Sequence, residues 1–149
     1  MKFIFIIVLS LSFASSFNFI KYSLEMRLLM DTKKIVNISD FKWKSRPLII
    51  PNPSIVLLNK IADNEASFIE RDIVIIIMKN DIAYIDSQKI SQSFSNSILA
   101  KDITIENNNI TLIGLDGLIK KSYSKNIKLN QIFMDIDSMP MRMYELKNK

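Results

Sequence analysis

The chain has 149 residues, a net charge of +5, no cysteine, no histidine and only two glycines. It therefore has no thiol, disulfide or imidazole chemistry, and it lacks the ligands that most zinc, copper and haem sites require. Two glycines also leave no material for a glycine-rich phosphate loop.

Met1–Lys2 is a short basic start. Phe3–Leu9 follows as an unbroken apolar run, continued by Leu11, Phe13 and Ala14, and Ala14–Ser15–Ser16 supplies the small residues of a cleavage site. Residues 1–16 are expected to be a signal peptide. The alternative is an uncleaved anchor, because Phe3–Ile20 carries no charge and a span needs roughly 20 apolar residues. Ser10, Ser12, Ser15, Ser16 and Asn18 dilute that stretch. The expected location is accordingly the periplasm or outside the cell, or the inner membrane if the segment stays attached. Residues 17–41 read as a lead-in with a short helix near Leu24–Met30, and 42–149 as one domain.

Within that domain, Arg46–Ile50 predicts a strand ended by Pro51. Asn52 suits a helix N-cap and Pro53 the first helical position. Ile55, Leu58, Ala62, Ala66 and Ile69 then repeat at helical spacing up to Glu70–Arg71–Asp72. Ile73–Met78 is a β-branched run that predicts a strand buried on both faces. A turn at Lys79–Asn80–Asp81, a weaker helix over Ser87–Ser95 (Ile90 and Phe94 four apart) and a loop over 96–109 come next. Ile110–Leu115 and Leu118–Tyr123 flank Asp116–Gly117 and predict a hairpin. A last helix starts near Lys128, with Leu129, Ile132, Phe133 and Ile136 facing inward. Pro140 then forces a turn at Ser138–Met139–Pro140, before a short final turn.

This order of elements predicts an α/β, thioredoxin-like fold, a mixed sheet of about four strands with helices on both faces. In such a fold the working thiols sit where the first strand meets the first helix. Here that junction is Pro51–Asn52–Pro53–Ser54, and Ser54 has no histidine to activate it. The proline expected before the third core strand is replaced by Glu106–Asn107–Asn108–Asn109. Asp81, Asp86, Asp135 and Asp137 lack the spacing of a calcium loop. No catalytic, cofactor-binding or metal-ligating residue is assigned, and no cofactor is expected. Lys120, Lys121, Lys125 and Lys128 cluster around the second hairpin strand. They read as guards of an edge strand or as a patch for an anionic surface. Nucleic acid is not an expected partner of an exported chain.

Two further segments carry a family likeness: Trp43–Lys44–Ser45–Arg46–Pro47–Leu48–Ile49–Ile50–Pro51, and Ile110–Gly117 with Ile136–Asp137–Ser138–Met139–Pro140–Met141–Arg142. With Glu70–Arg71–Asp72, they resemble an uncharacterised bacterial domain family that also occurs as the P-DUDES domain of vertebrate sushi-repeat-containing extracellular proteins. The resemblance implies a thioredoxin- or peroxiredoxin-like fold, usually exported and usually without redox cysteines, and no known enzyme activity. It makes Trp43, Arg46, Pro47, Asp116, Gly117, Asp137, Met139, Pro140 and Arg142 the candidate motif or binding residues. Asp137 and Arg142 are expected to pair across the Pro140 turn, with Arg46 as a second partner of Asp137. The block is read either as a structural lock or as a recognition site. Trp43 is expected to pack in the core or at its rim. The function these readings favour is a non-catalytic module that binds a protein or a cell-envelope component. The alternatives are an enzyme with a non-thiol site near Ser54, Arg46 and Arg142, or a secreted protein acting on a host or neighbouring cell.

Overall fold

The computed structural model describes residues 35–101 and 109–148. The expected signal segment, the helix near Leu24–Met30 and residues 102–108 of the loop expected over 96–109 lie outside the described residues, and residues 96–99 of that loop are helical. A single-turn 3-10 helix, Ile38–Phe41, comes first. Asn37 caps it by accepting from the Ser39 N–H, while the Asp40 carboxylate accepts from the Asn37 N–H, a reciprocal arrangement that satisfies two otherwise open donors.

Six strands form one sheet in the order β4-β3-β2-β1-β5-β6, where the expectation was about four. They are β1 (Arg46–Pro51), β2 (Ile73–Lys79), β3 (Ile82–Ile85), β4 (Gln88–Lys89), β5 (Ile110–Ile113) and β6 (Ile119–Tyr123). β1 and β2 run parallel, with Leu48 opposite Ile75; β5 lies antiparallel to β1, with Leu48 opposite Leu112. The two unforeseen strands come from two tight reversals. Asn80–Asp81 has φ of 49° and 60°, and Asp86–Ser87 has φ of 48° and 64°. Paired left-handed residues make the two-residue turn that matches strand twist. Asn and Asp accept that backbone more readily than most residues. The predicted helix at Ser87 therefore starts later, as α3 (Gln92–Leu99), with the Ser91 hydroxyl capping the Phe94 N–H.

The helix after β1 is also corrected. Asn52 is not its cap: it has φ 42°, and its N–H donates to the Met78 carbonyl at 2.8 Å. Ser54 is the cap, accepting from the Leu57 N–H. One expected helix is two, α1 (Ile55–Asp63) and α2 (Glu65–Glu70), broken at Asn64 with φ −115°. α4 (Leu129–Asp137) buries the four residues its spacing predicts, and the expected final turn is a full helix, α5 (Pro140–Lys147). Pro140 begins α5, where a missing N–H costs nothing.

The sheet is covered on both faces. Leu48, Ile50, Ile73, Ile110 and Leu112 share one cluster with Leu57 of α1, Phe68 of α2 and Ile132, Phe133 and Ile136 of α4. Alternate residues, including Ile49, Ile76 and Met78, are buried on the opposite face. There Met78 pairs with Ala83 of β3, whose N–H donates to Ser95 of α3. Phe94 of α3 meets Phe41 edge to face, with ring centroids 6.0 Å apart.

Candidate functional site

The largest concentration of buried charge lies at the amino end of β1. Arg46, the first residue of that strand, is 1% exposed, as is Arg142 of α5. Arg46 donates through Nη1 to the Arg71 carbonyl at 2.9 Å and through Nη2 to Glu145 at 2.6 Å; Asp72 lies 4.0 Å away. Arg71 follows α2 and grips Asp137 with two bonds, Nε at 3.0 Å and Nη2 at 2.7 Å. Its guanidinium also stacks 4.9 Å over the Phe133 ring. Arg142 reaches Asp137 at 3.4 Å, Glu145 at 3.3 Å and Glu70 at 3.3 Å. Glu145 thus bridges Arg46 and Arg142, and Asp137 bridges Arg71 and Arg142.

The expected Asp137–Arg142 pair is present. The expected Arg46–Asp137 pair is not, because α5 carries Glu145 to Arg46 while the α2 corner brings Arg71 to Asp137. Arg71 and Glu145 were missed as members. Arg71 stood in the Glu70–Arg71–Asp72 block, and Glu145 follows Arg142 by three residues, one helical turn on. Burial acts to raise the carboxyl pKa of Asp137 and of Glu145. The bonds and charges of Arg71 and Arg142 on one, and of Arg46 and Arg142 on the other, outweigh it and hold both below their ordinary values. Among the described residues, no buried side-chain nitrogen or oxygen is left without a hydrogen-bond partner. The guanidinium donors are therefore directed at the protein itself, and together they tie α5, the end of α4 and the α2–β2 corner to the start of β1.

The remaining motif residues sit at the same end of the sheet. Antiparallel pairing of β5 with β1 brings the turn after Ile113 next to the residues that precede Arg46. Gly117 has φ +76°, which a side chain rarely adopts. Asp116 accepts from the Leu118 N–H at 3.1 Å and from Lys120 Nζ at 2.5 Å. Despite its burial, those bonds hold the Asp116 carboxyl below its usual range. Pro47 is buried within β1, Met139 packs partly buried against the core, and Pro140 opens α5. Trp43 does not pack as expected: it is 62% exposed, because φ 63° and a 2.7 Å bond from its N–H to the Leu115 carbonyl turn the indole outward.

Ser54 lies at the other end. β1 separates it from Arg46 by roughly 16 Å of extended chain or more, and its hydroxyl caps α1. The Ser54–Arg46–Arg142 constellation is therefore not assembled. Of the lysines, Lys120 and Lys121 lie on the edge strand β6 and pair with Asp116 and Asp135, and Lys125 donates to the Asn52 carbonyl. Lys121 lowers the Asp135 carboxyl pKa, and burial with that carboxylate pushes the Tyr123 hydroxyl up. Lys128 precedes α4 without capping it through its side chain.

Fold and cluster together define a cysteine-free mixed α/β domain, with a central sheet and an arginine–carboxylate network at one end of it. A family model described as "Domain of unknown function (DUF4174)" matches residues 37–145. The chain belongs to that family. No curated protein and no solved structure matches it.

Proposed function

We propose that the protein is an exported, non-catalytic interaction module on a thioredoxin-like scaffold, related to the P-DUDES domain. The scaffold reading is supported by the order β2-β1-β5-β6, a parallel pair beside an antiparallel hairpin. β3 and β4 are then an addition at the β2 edge. Export is supported by the basic start and apolar run of residues 1–16.

One observation carries the functional reading. The buried charges and motif residues gather at the amino end of β1, while at the carboxyl end, where a redox relative works, Ser54 serves as a helix cap. The test is incubation of the purified protein with a peroxide plus a dithiol, and separately with a disulfide-bonded peptide. Rates equal to blanks are expected. Reproducible turnover, abolished by Ser54→Ala, contradicts the reading.

A further inference from the structure

We propose that the amino end of β1 carries a peripheral docking surface for an anionic lipid membrane. This rests on the reading of the chain as a binding module and supplies the chemistry of its ligand.

Two loops meet there. Trp43 projects from the residues before β1 and Leu118 from the β5–β6 turn; each is 62% exposed. The Trp43 N–H bond to the Leu115 carbonyl joins the two loops, and Trp43 takes a left-handed backbone that bulky residues rarely adopt. Backbone strain that leaves a large indole in water points to a use for the exposed ring. Both residues project into solvent from turns. A planar interface suits protruding residues. Tryptophan favours the membrane–water boundary, where its ring meets apolar material and its N–H meets water.

The charges around these tips fit the same ligand. Lys42 Nζ stands 5.5 Å over the Trp43 ring, Lys44 is exposed one residue beyond, and Lys101 reaches the Gly117 carbonyl at 3.4 Å. Asp116, the carboxylate of the turn, is engaged by Lys120. One ammonium group therefore stands over Trp43 and another beside the turn that carries Leu118. Each lysine near an anionic leaflet adds to binding, and its alkyl stem can lie along the apolar region while the charge stays at the headgroups. An acidic polymer would use the lysines but gives Leu118 no role.

Trp43 is the only tryptophan in the chain, so its emission reports on this corner alone. The full-length protein is mixed with vesicles of phosphatidylglycerol and phosphatidylcholine, with vesicles of phosphatidylcholine only, and with a soluble acidic polysaccharide. Expected are a blue shift of Trp43 on the anionic vesicles, quenching by brominated acyl chains, and reversal by high salt. Lys42→Gln with Lys44→Gln should weaken partitioning by about thirty-fold. Leu118→Ser should weaken it while leaving the emission of the free protein unchanged. Three results each overturn the proposal: vesicle association with unshifted Trp43 emission, which assigns binding to the N-terminal segment; a shift of equal size with the polysaccharide; or a shift on neutral vesicles that ignores both lysines. None of these touches the non-catalytic reading, which fails separately if peroxide or disulfide turnover is found.

Discussion

The two ends of β1 are built on different terms. At the carboxyl end, Pro51 closes the strand, Asn52 turns through a left-handed backbone, and Ser54 supplies one capping bond. At the amino end, three guanidinium groups meet Glu70, Asp72, Asp137 and Glu145, drawn from the α2–β2 corner, α4 and α5. The two ends therefore restrain the sequence to different degrees. A helix cap asks for any small hydroxyl or amide side chain. A buried network asks for particular residues in α5, α4 and the α2 corner at once, because each partner removed leaves a charge behind.

The largest expected effect follows from that contrast. Arg142→Met should destabilise the fold by about 3 kcal/mol, since it removes the guanidinium that links Asp137, Glu145 and Glu70 and leaves each with one arginine partner in place of two. Asp137 and Glu145 keep some contact with water, which holds the loss to the lower end of the range. A fall in the urea midpoint with unchanged slope would show it. Gly117→Ala should cost about 1 kcal/mol by placing a side chain at φ +76°, measured the same way. Ser54→Ala should also cost about 1 kcal/mol, the usual value of a lost cap. Trp43→Ala should stay within about 0.5 kcal/mol of the parent, as exposed substitutions do; a larger loss would mean that the indole is part of the fold.

Acid titration sharpens the same comparison. The folded pKa values of Asp137 and Glu145 lie below their ordinary values of 3.8 and 4.5. The unfolded chain therefore takes up these protons first as pH falls. The stability they contribute is complete above the ordinary carboxylate range and declines from there toward the depressed folded values. Thermal unfolding followed from pH 6 downward should show this decline in the parent, and a shallower one in Arg142→Met.

Much of this architecture was legible in the residues. The β5–β6 hairpin announced itself through Asp116–Gly117, and the inward face of α4 through Leu129, Ile132, Phe133 and Ile136. The turn at Asn80–Asp81 was legible, but β3 and β4 stayed hidden because Asp86–Ser87 reverses the chain without a glycine to mark it and Ser87 reads equally as a helix start. The break at Asn64 interrupts an apolar period that continues across it. Trp43 was placed by residue type, whereas its exposure is decided by one backbone angle and one hydrogen bond. Arg71 was missed because Asp137 lies far away in sequence, and Glu145 because its one-turn spacing from Arg142 does not reveal its shorter bond to distant Arg46. That the candidate motif residues share one end of the sheet required the register of β1 with β5.

The arginine network holds the fold together at the amino end of β1. The most direct test is urea unfolding of Arg46→Met beside Ser54→Ala, one substitution at each end of the same strand. Arg46→Met is predicted to lose about 3 kcal/mol or more and Ser54→Ala about 1 kcal/mol. An Arg46→Met protein as stable as the parent would contradict the claim and mark those guanidinium groups as held for a ligand.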